Sequence, residues 1–505
     1  MNLFGKYFKL SFLFVSLTLI LSFAAYFYPF FNKVAFFVIL ALILILTLEK
    51  LEYGLYILLA ELFIGSKGYL FYFDLGGVSV SLRIALFLVV MGAWLYKRLK
   101  ILDFRLKIDK WWWILFAFIG WGLVWGLIRG NNFQNVFFDF NAWLYFGLIF
   151  IFMDTIKSRE QIENAMQIFT AAVSIIILKT LFFIYIFSHG IEAAIFPIYR
   201  WLRQFLIGEI TLTPSGFYRI FFQSQIYVLI GLFIFIALLI WRQKFPLRPP
   251  FSKGELEENF ISHWLLVIGS LSSILVSFSR SFWVGFAFGV LVLLISLFIS
   301  KFPFKMIFKI ILVGLLTVSA SAALIWIIMR FPYPTPSQIS FGSMFGERMD
   351  FGEAAVRSRW DLLPPLGRAI AKHPIIGSGF GTTITYKSSD PRALEVNPTG
   401  EFTTYAFEWG YLDIILKIGL AGLAAYLILI GKILRQGWQI LKFPISNFQF
   451  SITLGMFLGL AAFLATNFFS PYLNHPLGIG YIMMCGVIFA KSEQITGDTP
   501  SSEGG

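Results

Sequence analysis

The chain is short of three things that a soluble protein of its size has in quantity. Charged residues make up 13% of its 505 residues, against roughly a quarter in an ordinary soluble chain. Acidic residues are scarcer than basic ones, 27 against 40. The single cysteine, Cys485, leaves no partner for an intramolecular disulfide and no cysteine cluster for a metal. An internal repeat relating the two halves is also missing, and inverted-repeat transporters are built on such repeats.

What is abundant is apolar and aromatic. Hydrophobic residues reach 58% and aromatics 19%, with 61 Phe. Apolar runs of ~20 residues with few charges recur along the chain, which is the pattern of membrane-spanning helices. They fall near 8–28, 33–48, 53–66, 81–97, 111–128, 138–155, 164–187, 219–241, 260–278, 282–300, 306–329, 409–431, 449–469 and 475–490. The first run follows Lys6 and Lys9 but lacks a clear small-residue cleavage site, so it reads as a retained span. The third is short enough to be re-entrant. The expected fold is an all-α polytopic membrane protein with about 12–14 transmembrane helices. Residues 1–329 form an N-terminal bundle of about eleven helices. Residues 330–407 form one large polar loop, 408–491 the last helices, and 492–505 a disordered tail.

Lys and Arg fix the orientation. They gather between spans four and five (Lys97, Arg98, Lys100, Arg105, Lys107, Lys110) and between six and seven (Lys157, Arg159). They gather again between eight and nine (Arg242, Lys244, Arg248, Lys253), ten and eleven (Lys301, Lys305, Lys309), and twelve and thirteen (Lys432, Arg435, Lys442). By the positive-inside rule these connections face the cytoplasm, together with both termini. The net charge of +13 is then a matter of anionic lipid headgroups, not of nucleic acid. The large loop faces outward from a cytoplasmic (inner) membrane.

That orientation settles the reading of KHPIIGSGFGT, residues 372–382. Gly-x-Gly suggests a phosphate cradle, but no buried strand precedes it and it faces a side without a nucleotide pool. A tight turn that lets the backbone approach the mouth of a cavity is the better expectation.

Ionisable residues in or beside membrane spans are costly and so are candidates for function, with snorkelling to headgroups as the plain alternative. In SFSRSFWVG, Arg280 sits at an outward turn with almost no loop. In GFYRIFFQSQ, Arg219 is expected to open span eight, with Gln223 and Gln225 deeper. The large loop carries Arg357 and Arg359, then His373. In FEWGYLDIILKIGLAG, Glu408 and Asp413 stand where the loop re-enters the membrane, near a helix N-terminus that favours carboxylates. Lys179 lies deep in span seven and must face the bundle interior or an aqueous cavity. His475 and His373 read more readily as structural than as catalytic.

These candidates, Lys179 apart, fall on the outer side. Converging guanidinium groups at a headgroup plane suit a diphosphate. A nearby carboxylate suits a general base for a sugar hydroxyl. A lipid-linked pyrophosphate sugar offers a partner to both.

Four motifs in order carry a family resemblance: Ser279-Arg280-Ser281 opening a span, Arg359-Trp360, His373-Pro374-Ile375-Ile376-Gly377-Ser378-Gly379, and Tyr411-Leu412 followed by Gly419-Leu420-Ala421-Gly422. Over roughly 215–430 the chain resembles the O-antigen ligase and O-antigen polymerase superfamily of bacterial membrane glycosyltransferases. It departs from the family at Glu408-Trp409, where ligases commonly place His-Asn. The resemblance implies transfer from an undecaprenyl-diphosphate-linked oligosaccharide to a saccharide or lipid-linked acceptor. It implies Arg280 and Arg219 on the leaving diphosphate, Glu408 as base or acceptor-orienting group, and Arg357 and Arg359 on sugar or phosphate. His373, Lys179 and His475 are further substrate-binding candidates. Arginines can stabilise such a leaving group unaided, so neither metal nor cofactor is expected. The rival from another class is a transporter, such as a lipid-linked oligosaccharide flippase, with Lys179 in its pathway.

Overall fold

The computed structural model describes residues 2–76, 78–102, 108–244, 253–299, 303–334, 354–388, 394–395, 397–442 and 447–497. Arg105, Lys107, Arg248 and Lys301, four of the basic residues used to orient the chain, lie outside the described residues.

The protein is a helical membrane protein. Its first half comprises α1 (Lys6–Phe27), α2 (Pro29–Glu49), α3 (Leu51–Ile64), the hairpin β1 (Tyr72–Leu75) and β2 (Val78–Ser81), α4 (Leu82–Ile101), α5 (Lys110–Ile128), α6 (Phe133–Trp143), α7 (Leu148–Thr155) and α8 (Arg159–Ser188). There follow α9 (Glu192–Gln204), the hairpin β3 (Glu209–Leu212) and β4 (Tyr218–Phe221), α10 (Gln225–Lys244), α11 (Lys253–Ser277), α12 (Arg280–Ile299) and α13 (Phe304–Arg330). The polar loop holds α14 (Ala354–Lys372) and the hairpin β5 (Ile384–Lys387) and β6 (Glu401–Thr404), and α15 (Gly410–Lys442), α16 (Asn447–Thr466) and α17 (Pro476–Gly497) complete the chain.

Among the described residues ten helical stretches are long and apolar enough to cross a membrane, and Gln225–Ile240 and Pro476–Ser492 are shorter apolar helices. The two remaining expected spans are α3 and α4. At 14 residues, α3 reaches only ~21 Å, less than the ~30 Å hydrocarbon core. Its Glu61 accepts from Arg83 of α4 at 2.9 Å, and both are buried. α17 continues as helix to Gly497, past the residue 492 where a disordered tail was expected, and 498–505 are outside the described residues.

Side-chain caps start several helices. Asp109 accepts from the Trp111 N–H at 3.0 Å at the head of α5. Ser158 and Gln161 form a capping box at the head of α8, satisfying two orphan donors reciprocally. α8 is the pillar: most of it is buried, and it packs on α1, α3, α10 and α11. α16 packs on α10 and α12.

Contacts between connections divide them into two ends. At one end, Lys97 Nζ donates to the Thr47 carbonyl at 2.9 Å, Arg98 Nε to Asp154 at 2.9 Å, and Lys432 pairs with Asp109. Those are basic connections tied to one another. At the other end, Ser66 bonds Ser224 at 3.3 Å, Asn131 Nδ2 donates to the Phe380 carbonyl at 2.8 Å, and His189 Nε2 meets the Phe331 carbonyl at 2.9 Å. The large loop belongs to that second end.

Candidate functional site

Arg219 does not open a helix. It lies in β4, paired with Thr211 of β3, and α10 begins only at Gln225. The local sequence dictates this: Thr213-Pro214-Ser215-Gly216 makes the turn, with Gly216 at φ 82° and its N–H donating to the Thr213 carbonyl at 2.9 Å. On the strand, the half-buried Arg219 turns its Nε to the Ser277 carbonyl at 2.9 Å, and its guanidinium lies 5.0 Å from the Phe221 ring centroid.

Ser277 ends α11, and α12 begins three positions later with Arg280. The break between them turns on Phe278, whose φ of 47° is left-handed, a conformation uncommon for a bulky residue. Burial of its ring against Phe217 (centroids 5.0 Å apart) holds it there. The sharp turn therefore places Ser277, whose carbonyl holds Arg219, three positions before Arg280 in the next helix's first turn. Ser279 and Ser281 hydroxyls are 3.0 Å apart, and Ser470, from the turn between α16 and α17, donates to Ser281 at 2.9 Å.

The same turn meets the large loop. Trp409 stacks tilted on Phe469 at 5.4 Å and edge-on to Trp360 at 5.4 Å, and its Nε1 donates to the Arg359 carbonyl at 3.0 Å. The Arg359 guanidinium pairs with the exposed Glu408 carboxylate. Arg359, Glu408, Ser470, Ser281 and Arg280 thus follow one another through direct contacts or chain neighbours. Arg357 is exposed on α14, two residues before Arg359.

The Gly-Ser-Gly-Phe-Gly segment is a turn, and it plugs into the bundle. Gly377, Gly379 and Gly381 all have left-handed φ (76°, 83° and 76°), which glycine adopts freely. α15 breaks at Gly419, also left-handed. The loop takes up what the break releases: Ser378 and Gly379 N–H groups donate to the Leu416 and Lys417 carbonyls at 2.6 and 3.0 Å. In return, Leu420 and Ala421 N–H groups donate to the Pro374 and Ile375 carbonyls at 2.9 and 3.1 Å. Non-helical backbone at membrane depth is tolerable because it is satisfied within protein. Phe380, fully buried, seals the plug against Trp143 at 6.0 Å.

A buried charge cluster underlies this plug, and sequence reasoning missed most of it. Lys417 Nζ lies 2.7 Å from Asp139 Oδ1 and 2.8 Å from Asp413 Oδ1. Asp139 Oδ2 accepts the Gly381 N–H at 2.8 Å, and Asn474 Nδ2 donates to Asp413 Oδ2. Lys417 stands within an apolar run and Asp139 at the edge of another, the signal that singled out Lys179. Their partnership spans 278 residues and has no local signature. At the cluster's rim, burial first and the Asp139 charge second raise the Tyr405 phenol above its ordinary pKa, with Lys417 opposing.

The other expected site residues stand apart. His373 contributes backbone, its carbonyl accepting from the Gly377 N–H at 3.0 Å. His475, in the turn before α17, accepts from the Leu477 N–H through Nδ1 at 3.3 Å. Desolvation, then the charges of Arg83 and Lys67, holds its imidazole down to about 3, so it is neutral at physiological pH. Lys179 is buried with its ammonium 4.0 Å from the Phe222 ring centroid and no hydrogen-bond partner among the described residues. Also among the described residues, no group of three or more His, Cys, Asp and Glu is placed to hold a metal ion.

Residues 265–427, from within α11 to within α15, match the family model described as O-antigen ligase. The match takes in Arg280, Arg357, Arg359, His373 and Glu408 and leaves out Arg219, Lys179 and His475. Comparison of the chain with curated proteins gives no match. The matched segment is the one that builds the turn at Arg280, the plug and the Arg359–Glu408 pair, and over that segment the chain is similar to the O-antigen ligase family.

Proposed function

We propose that the protein transfers or polymerises glycan from an undecaprenyl-diphosphate-linked oligosaccharide onto a saccharide hydroxyl at the outer face of the cytoplasmic membrane. The observation that carries this reading is the outer turn. Arg219 is fixed on the last carbonyl of α11, Arg280 opens α12, and the Ser279–Ser281–Ser470 hydroxyls surround the start of that helix. A helix N-terminus with two arginines beside it favours a diphosphate.

In this reading the acceptor oxygen attacks the anomeric carbon as the bond to the diphosphate breaks. Negative charge develops on the leaving phosphate, where Arg280 and Arg219 stabilise it. Glu408 takes the proton of the acceptor hydroxyl, and Arg359 orients its carboxylate. Arg357, exposed beside them, contacts sugar or phosphate. Charge stabilisation by arginine makes the reaction metal-independent.

The test is turnover by purified, detergent-solubilised protein on undecaprenyl-diphosphate-linked oligosaccharide in EDTA, for wild type and Arg280→Ala. Release of undecaprenyl diphosphate with glycan transfer by wild type alone supports the reading, and product length separates polymerase from ligase. The buried ammonium of Lys179, with no hydrogen-bond partner among the described residues, favours a second reading, because transport pathways place such groups inside membranes. Passage of labelled lipid across liposomes without turnover would establish that alternative.

A further inference from the structure

The Lys417 cluster lies in the outer part of the bundle and is almost sealed. The side chains of Lys417, Asp139 and Asp413 are 3%, 8% and 2% exposed. Removing charges from water is expensive, and an ion pair of this kind is often no more stabilising than apolar packing of the same shape. Its geometric effect is the informative part. One ammonium and two carboxylates tie together four separate stretches: α6 through Asp139, the glycine plug through the Gly381 N–H, α15 through Asp413 and Lys417, and the α16–α17 turn through Asn474.

Those stretches converge on Glu408. On one side of it, Phe407 is buried with its ring centroid 5.7 Å from Lys417 Nζ. On the other, the Trp409 carbonyl accepts the Asp413 N–H at 2.8 Å, and the Trp409 indole is held by the Arg359 carbonyl. Gly410 packs so tightly on Asn467 that a Cβ there would lie 2.3 Å from its carbonyl oxygen. Asn467 Oδ1 in turn accepts the Leu473 N–H at 2.9 Å, one residue before Asn474. The exposed carboxylate thus stands on a rigid base whose centre is Lys417.

We infer that Lys417, with Asp139 and Asp413, is a positioning device that fixes Glu408 relative to the outer turn carrying Ser470. The inference rests on the transfer reading for its effect on turnover, but the positioning itself is measurable without turnover. Misplacing a reacting group by about 1 Å can cost roughly 10²-fold in rate while leaving substrate binding alone.

The experiment compares wild type, Lys417→Met, Lys417→Arg and Asp139→Asn. Asp139→Asn removes the charge but keeps an oxygen for the Gly381 N–H, and it serves if Lys417→Met fails to fold. Spin labels at Ala406→Cys and Phe468→Cys report the distance between the Glu408 end of α15 and the α16–α17 turn that carries Ser470, where Phe468 is exposed. Native Cys485 is buried. The expected result is a single narrow distance in wild type that broadens in Lys417→Met and Asp139→Asn, with recovery in Lys417→Arg. In the transfer assay, kcat falls roughly 10²-fold for the neutral variants with KM nearly unchanged. Unchanged distances in folded neutral variants overturn the inference. So does a fall in activity that only tracks the loss of folded protein. If the distances respond but wild type shows no transfer, the positioning stands and the proposed function fails.

Discussion

The side chain of Arg219 is bonded to the backbone of Ser277, Nε to carbonyl oxygen at 2.9 Å. One strand of a surface hairpin thereby reads the end of α11, and the helix that begins three residues later starts with a second arginine, Arg280. The bond uses Nε, and the planar fork of a guanidinium lets an arginine held at one nitrogen present others in the same plane to phosphate oxygens.

Arg280→Ala should therefore lower kcat by about 10²–10³, the loss typical of removing one charge-stabilising donor from a transition state. Arg219→Lys should be nearly as damaging, since an ammonium cannot bridge a carbonyl and a phosphate in one plane. Lys107→Ala, in the basic stretch of sequence between α4 and α5, should leave activity intact. The same turnover assay measures all of them, with membrane abundance as the control. Equal losses at Arg280 and Lys107 would remove the outer turn from consideration.

Glu408 separates chemistry from packing. Glu408→Gln can still accept from Arg359 but cannot take a proton, so a general base predicts a kcat roughly 10²–10⁴ lower at unchanged thermal stability. Full activity in Glu408→Gln would mean that the carboxylate serves only the Arg359 pair.

Much of this arrangement was legible in the chain, and the rest was hidden for identifiable reasons. The turn at Arg280 could be read because two apolar runs meet there with no room for a loop. The glycine turn could be read because three glycines at alternate positions tolerate left-handed backbone. The β3–β4 hairpin was legible in principle, since Pro-Ser-Gly is flanked by alternating residues, but the apolar content of Tyr218–Phe222 merged it into the next span. Asp413 and Lys417 stand one helical turn apart and could have been paired from spacing alone. Asp139 could not, because its partner is set by the packing of distant helices. The ion pair of Arg359 with Glu408 is likewise a product of where α14 folds back.

The plug makes a stability prediction. At Gly419, with φ 76°, an added Cβ would lie 2.0 Å from the Ile375 carbonyl oxygen. Gly419→Ala must bear left-handed backbone, ~1–2 kcal/mol, and must also displace the loop. We expect a clearly lowered thermal midpoint and loss of activity. Gly120→Ala, with nothing within 4 Å of its added Cβ, should be neutral or slightly stabilising by helix propensity. Comparable midpoints for the two variants would mean that the loop does not fill the break in α15.

Orientation can be read directly with a membrane-impermeant maleimide on intact cells. Leu212 on the β3–β4 hairpin and Thr399 before β6 are exposed at the end that carries the large loop. Leu102 at the end of α4 and Arg435 in the last part of α15 are exposed at the basic end. Buried Cys485 should stay silent. With the basic end in the cytoplasm, Leu212→Cys and Thr399→Cys label in intact cells, while Leu102→Cys and Arg435→Cys label only after permeabilisation. The reverse pattern would place Arg219, Arg280 and Glu408 on the cytoplasmic face. There nucleotide-activated sugars are at hand, and a lipid-diphosphate donor would no longer be the natural substrate of the outer turn.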